Sequence, residues 1–248
     1  MEECLKSLAI IPARLASTRF PNKPLAMIGD RTMIEHVYER TCASPLLTKT
    51  IVATCDQQII DVIAARGGEG IITSDRHERA SDRCEEATAA LAARGETFDV
   101  VVMVQGDEPM TDPRQIEEVL QPFADPTVQV SNLYLDIDEQ QAQGRDVVKV
   151  VMDQRGDALY FSRLPIPGAM GDHPRQFCKQ LGLIAFRVGA LSQFARLAPT
   201  PHEKAESVDM LRFLEHGVPV RMVRSRHATV AVDTPADLER VRALMQSR

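Results

Sequence analysis

Four short apolar runs in the first half of the chain, each followed by a segment of helical period, constrain the fold more than any other feature. "SLAIIP", "KTIVAT", "GIIT" and "FDVVVMVQG" read as strands. Between and after them, "TMIEHVYERTCA", "DQQIIDVIAARGG", "SDRCEEATAALAARG" and "TDPRQIEEVLQPFA" read as helices. In the first of these, Met33, Ile34, Val37 and Tyr38 fall on one face, the spacing of a half-buried helix. The punctuation agrees with it. Asp56 is placed as a helix cap, with Gly67 or Gly68 and then Gly95 as stops. Asp112, Pro113 and Gln115 spell a cap, a first helical residue and the return arm of a capping box. "FDVVVMVQG" is almost wholly apolar, as a strand covered on both faces must be. Strand–helix alternation of this kind predicts a mostly parallel sheet with helices on both faces.

After Pro126 the pattern changes. "VQVSNLYL", "VVKVVM" and "ALYFS" follow without intervening helices, so an antiparallel element is expected, at about residues 128–188. "RLPIPGAMGDHPRQF" has the composition of an irregular loop. "LGLIAF" reads as a strand, "GALSQFARLA" and "HEKAESVDMLRFLEHG" as helices, "VPVRMVRS" and "HATVAV" as strands, and "TPADLERVRALMQ" as a last helix. A chain of 248 residues of this kind is expected to be one domain, 1–248, carrying the 128–188 lobe.

Charge narrows the function. A net charge of −6 argues against broad nucleic-acid or anionic-membrane binding, so any anion site must be local. Five scattered cysteines without a CxxC suit a reducing cytoplasm better than a disulfide framework. The N-terminus lacks the look of a signal peptide, and no apolar run approaches a membrane span.

One local site stands out. "IIPARLASTRFPNKPL" (10–25) sets Arg14, Arg19 and Lys23 after the first strand, with no Asp or Glu between Cys4 and Gly29. It has no glycine to bring backbone N–H groups onto a phosphate, so side chains must do so. Arginine forks and a lysine point charge suit that task, and Ala13, Ala16 and Ser17 leave room for a bulky ligand. In "VVMVQGDEPM", Gly106 permits a sharp turn and Asp107 sits just past a strand; in "AVDTPADLERV", Thr234 and Asp237 take the capping roles and leave Asp233 over. Each aspartate could be a turn residue. Together they could hold a magnesium ion on a triphosphate, since magnesium takes only one or two protein carboxylates. Paired carboxylates beside cations are what phosphoryl or nucleotidyl transfer needs. The six histidines lack metal-ligand spacing, Ser162 lacks a nucleophile elbow, and no GxGxxG follows a strand. "DID" (136–138) could serve the metal of a GT-A type glycosyltransferase using a sugar-nucleotide donor, which is the alternative reading.

With "MVQGDEP" (103–109), "VVKVVMDQRGDALYFSRLPIP" (147–167) and "VDTPADLERVR" (232–242), the opening segment makes the chain resemble the CMP-Kdo synthetase family, the 3-deoxy-manno-octulosonate cytidylyltransferases. The resemblance implies a nucleotide-diphospho-sugar transferase fold: a Rossmann-like, GT-A type three-layer α/β sandwich with a smaller lobe for sugar binding and dimerisation. It implies transfer of CMP from CTP to the anomeric hydroxyl of a 2-keto-3-deoxy sugar acid, with Mg2+, in a homodimer serving lipopolysaccharide biosynthesis. On it, Arg14, Arg19 and Lys23 grip the triphosphate, Ala13, Ser17, Arg83 and Gln105 adjoin the nucleotide, and Asp107 and Asp233 hold the metal. Arg14, Lys23, Asp107 and Asp233 carry catalysis, while Arg163, Gln180 and Asp209 face the sugar. The chain departs from the family pattern at Arg79 and Ala80, Asn132, Gln180, Ile184, Phe186, Asp209 and Met210. The acceptor is therefore expected to be Kdo or a modified Kdo-like acid.

Overall fold

The computed structural model describes residues 5–16, 20–170 and 173–246. Ser17 and Arg19, both assigned to the nucleotide above, lie outside the described residues. The chain groups into two compact units, 1–117 with 227–248, and 118–226.

The first unit starts with β1 (Ser7–Ala13), the short pair β2 (Met27–Ile28) and β3 (Arg31–Thr32), and α1 (Met33–Cys42). It continues with β4 (Lys49–Thr54), α2 (Gln57–Ala64), β5 (Glu69–Ile72), α3 (Ala80–Ala93) and β6 (Val100–Met103). Helix α4 (Pro113–Leu120) follows in the chain. β1 pairs in parallel with β4 on one side and β6 on the other, and β4 pairs in parallel with β5. The order β6-β1-β4-β5 is thus the parallel sheet expected from the alternation. Neighbouring residues of a strand point to opposite faces, yet Val100, Val101, Val102 and Met103 are all at most 2% exposed. Both faces are therefore covered. The chain moves outward from β1 through β4 to β5, then returns to β1's other edge for β6. The loops leaving β1 and β6 flank the point where the direction reverses, which is where open parallel sheets bind ligands.

Local chemistry sets the helix ends. Thr32 and Glu35 form a capping box on α1, and Glu35 also accepts a 2.6 Å bond from Arg66 Nε. At α4, the Asp112 N–H donates to Gln115 Oε1, as expected. Asp56 is the N-cap residue of α2, as expected, but its side chain makes no capping bond there and accepts from Leu15 N instead.

The second unit holds β7 (Val130–Ile137), α5 (Glu139–Ala142), β8 (Lys149–Met152), β9 (Ala158–Ser162), β10 (Phe177–Arg187), α6 (Val188–Arg196), α7 (Pro201–Glu206), α8 (Met210–Glu215) and β11 (Arg221–Arg224). β10 runs antiparallel to β7 and β8, β8 antiparallel to β9, and β11 parallel to β7. The antiparallel element expected after Pro126 is present. The single helix expected over "HEKAESVDMLRFLEHG" is instead two, broken where Ser207 takes a left-handed φ of 52°. The reason is a buried ion pair. Arg212 donates to both carboxylate oxygens of Glu203, at 2.8 and 2.6 Å, with the two side chains 3% and 0% exposed. In one straight helix, nine residues would separate them by ~13.5 Å along the axis and put them on opposite faces. The turn brings them together, and the Arg212 guanidinium lies 4.0 Å over the Phe194 ring.

The chain then re-enters the first unit and ends in α9 (Pro235–Gln246). "HATVAV" is not a strand. It forms no ladder and is anchored at Val232, whose N–H donates to Asp107 O at 2.9 Å. Val232 is fully buried in a cluster with Ile28, Met33, Met110, Leu238 and Val241. Thr234 and Asp237 make the expected reciprocal cap. No helix among the described residues is long and apolar enough to cross a membrane.

Replacing one member of a buried ion pair strands the other charge. Glu203→Gln should therefore lower the unfolding free energy by ~3–5 kcal/mol, read from urea unfolding followed by circular dichroism.

Candidate active site

At the carboxyl end of the parallel strands lies a cavity of about 780 Å³, lined among others by Ala13, Arg14, Lys23, Arg83, Gln105 and Asp107. Six residues assigned to the nucleotide or to catalysis from sequence thus share one space. β1 delivers Ala13 and Arg14, β6 delivers Gln105 and Asp107, and α3 delivers Arg83.

Lys23 arrives by a turn. Asn22 adopts φ 57°, its N–H donates to Leu15 O at 3.1 Å, and a 3-10 turn spans Lys23–Leu25. Asparagine tolerates that left-handed backbone better than most residues. The turn sends the Lys23 ammonium to three oxygens: Asp107 Oδ2 at 2.7 Å, Val232 O at 2.8 Å and Asp233 Oδ1 at 3.6 Å. Two carboxylates 126 positions apart in sequence therefore meet on one cation. The anchoring of Val232 to Asp107 O holds the second carboxylate beside the first.

Arg83 is only 3% exposed. Its Nη1 donates to Thr73 Oγ1 at 2.5 Å, while its buried Nη2 finds no hydrogen-bond partner among the described residues. Leaving such a donor unmade costs ~1–3 kcal/mol or more, so an acceptor supplied by a ligand would relieve it. His77, also on the cavity wall, pairs with Glu86, which further accepts from Ser74 N at 2.8 Å. Burial works against ionisation of Glu86, but the Ser74 N–H and His77 hold its carboxyl below the ordinary value. Arg79 and Ala80, two departures from the family pattern, line the same cavity.

The residues assigned to the sugar belong to the second unit. Arg163 spends three of its five N–H donors on main-chain carbonyls: Nε on Glu206 O at 2.6 Å, Nη1 on Arg145 O at 3.0 Å and Nη2 on Ser207 O at 3.3 Å. Gln180 Nε2 donates to Asn132 Oδ1 at 2.6 Å, and the Asn132 amide donates to Leu181 O and Leu183 O at 2.8 and 3.0 Å. Those carbonyls lie where β10 slips register against β7, between Gln180 and Ile184. Asp209 immediately precedes α8 without capping it through its side chain. Of the "DID" pair, Asp138 caps α5 by accepting from Gln141 N at 2.7 Å, and Asp136 pairs with Arg224. Both carboxylates thus have local structural work.

Two residues have roles here that the sequence does not display. Asp56 accepts a 2.8 Å bond from Leu15 N and so ties the cationic loop to the end of β4; its position looked like a helix cap. Gly106 matters for space more than for its turn. A Cβ there would lie 2.9 Å from Pro12 O, a backbone atom of β1 that cannot yield cheaply.

Cations and paired carboxylates gathered at the switch point of a parallel sheet define a nucleotide-handling α/β transferase. A family model described as Cytidylyltransferase matches residues 8–225. The 3-deoxy-manno-octulosonate cytidylyltransferase of Geobacter metallireducens is 42% identical over 250 residues, covering 96% of each chain. That of Myxococcus xanthus is 41% identical, covering 100% of this chain and 99% of the relative. A solved structure of CMP:2-keto-3-deoxy-manno-octonic acid synthetase complexed with CTP superposes with a TM-score of 0.92 at 38% identity, covering 98% of this chain and 99% of that one. The chain belongs to the CMP-Kdo synthetase family of cytidylyltransferases.

Asp56→Ala should raise the nucleotide KM at least ~10-fold with a smaller effect on kcat, whereas Asp56→Asn, which keeps an acceptor oxygen, should recover most of it. Steady-state kinetics with varied nucleotide separates the two. Gly106→Ala should cut kcat/KM by ~10-fold or more, because Gln105 and Asp107 must shift with the displaced backbone; the same assay reads it.

Proposed function

We propose that this chain transfers CMP from CTP to Kdo, or to a modified Kdo-like acid, with release of pyrophosphate. The observation that carries this reading is the convergence of Lys23, Asp107 and Asp233 beside a cavity that Arg14 and Arg83 line. The relatives, which are 3-deoxy-manno-octulosonate cytidylyltransferases, and the CTP in the solved synthetase support the acceptor and the nucleotide.

The chemistry follows from charge. An anomeric hydroxyl must approach an α-phosphorus in line while both reactants are anionic. Arg14, Lys23 and Arg83 offset that repulsion and hold the triphosphate in one orientation, and charge growing on the leaving pyrophosphate meets guanidinium and ammonium groups already in place. Arg83 Nη2, buried and unpaired, offers its hydrogen to an acceptor atom of the nucleotide. Gly106 keeps β6's loop close against β1, so that Gln105 and Asp107 face the same space as Arg14.

Asp107 and Asp233 would hold Mg2+. Their fit is seen in the cation they already share, since two carboxylate oxygens and a carbonyl converge on one ammonium. No cluster of three His, Cys, Asp or Glu able to hold a metal occurs among the described residues, so the remaining ligands would come from phosphate and water, as magnesium favours. When bound, the ion supplies positive charge to the phosphates and lowers the pKa of a coordinated hydroxyl. The sugar-side assignment of Arg163 draws on its two remaining N–H donors, and that of Gln180 on its side-chain carbonyl.

A homodimer is part of this reading, supported by the exposed Leu159, Leu164 and Met170 of the second unit. So is a cytoplasmic setting, supported by the free thiols of Cys42, Cys55, Cys84 and Cys178.

Incubation with CTP, magnesium and a panel of 2-keto-3-deoxy acids should release pyrophosphate and yield a CMP-sugar of matching mass. Asp107→Asn and Asp233→Asn should each lower turnover at least ~100-fold, the loss of several kcal/mol of transition-state stabilisation. Near-normal turnover in both variants would refute the carboxylate assignment.

A further inference from the structure

We propose that Lys23 acts as an internal cation on the two carboxylates, so that a divalent ion and the nucleotide bind as a coupled pair. The ammonium sits on the two carboxylates that would hold the metal: it lies 2.7 Å from Asp107 Oδ2 and 3.6 Å from Asp233 Oδ1, and donates to Val232 O at 2.8 Å. This rests on the assignment of Asp107 and Asp233 as metal ligands.

Two carboxylates carry a charge of −2, and Lys23 between them reduces it to −1. A divalent ion that gives up water reluctantly gains less from a site of −1 than from one of −2. An ammonium and a metal ion cannot share the same oxygens without strong repulsion, because like charges at such separations interact strongly where water is scarce. The Lys23 side chain is only 15% exposed, so screening at its head is limited. Lys23 also borders the cavity with Arg14 and Arg83, within a site whose proposed occupant is a triphosphate. Phosphate oxygens give the ammonium an alternative partner of higher negative charge. Drawing it there restores −2 at the carboxylates. The nucleotide thereby opens the metal site, and by linkage the metal tightens the nucleotide by the same factor.

The geometry also explains why the lysine needs its turn. The left-handed Asn22 and the 3-10 segment deliver Lys23 near a pivot from which its flexible stem can serve either group of oxygens. An arginine's planar fork would bind one carboxylate in a fixed pose and exchange less readily.

The test uses Mn2+ as probe, with binding to the full chain followed by electron paramagnetic resonance and water proton relaxation. Without nucleotide, Lys23→Met should bind Mn2+ at least ~10-fold tighter than the natural chain, within the range of typical coupling factors. Adding Asp107→Asn should abolish that gain. Equal Mn2+ affinity in the natural chain and Lys23→Met, or no nucleotide-free binding in either, overturns the coupling. A gain that survives Asp107→Asn overturns it too, since the site would lie elsewhere. A separate arm with CTP and no acceptor judges the underlying assignment. Relaxation enhancement that needs both the natural chain and CTP, and that Asp107→Asn removes, keeps the metal-ligand reading even where the coupling fails. Its absence sinks that reading itself.

Discussion

The Lys23 ammonium is the interaction on which the rest of the first unit's site depends. It joins a turn after β1 to the loop after β6 and to the segment before α9, stretches that lie 84 and 209 positions away in the chain. None of the three is in a strand at that point, so no sheet ladder fixes their relative positions. The ammonium, the Val232 N–H on Asp107 O and the apolar burial of Val232 do so instead. Burial gives the segment an anchor, and the charge gives it a direction. An acidic chain can thus keep Arg14, Lys23 and Arg83 together around one cavity.

The scaffold beneath that site is economical in kind. The inner strands β1 and β6 have side chains buried on both faces, which leaves their ends to meet a ligand. Strand order decides which ends matter. Because β6 returns to the free edge of β1, the loops after these two strands open beside each other, and the basic and acidic residues are carried by those loops. Asp56, at the end of β4, then uses its carboxylate to hold the backbone of the basic loop, a polar tether between neighbouring strand ends.

How much of this could be read from residue order follows a physical divide. Strands β1, β4, β5 and β6 and helices α1 to α4 were legible because burial imposes a period and caps impose punctuation, and both are local. Lys23, Asp107 and Asp233 stand out in the sequence as a cation and leftover carboxylates at strand ends with few local duties, and the structure brings the three together. What stayed hidden was set by distant partners. "HATVAV" has strand-like residues but no neighbour with which to form a ladder. The helix over 202–217 breaks because Glu203 must reach Arg212, a pairing with no local signature. Asp56 carries a capping residue's identity and serves another element. Gly106 allows two strand ends to touch, which no turn rule foresees.

The departures from the family pattern divide in the same way. Asn132 and Gln180 differ from the family's residues at two positions, yet their side chains bond each other, and the Asn132 amide donates to the Leu181 and Leu183 carbonyls where β10 shifts register against β7. Buried carbonyls need donors, so a change at one of these positions constrains the other. That pair is accounted for by the strand geometry, without reference to an acceptor. Arg79 and Ala80 are different. They line the cavity that holds Arg14, Lys23 and Arg83, where an added guanidinium alters the field that a substrate meets. A change in what the enzyme accepts has a more direct physical route through the rim of that cavity than through the fully buried Asn132 and its partner.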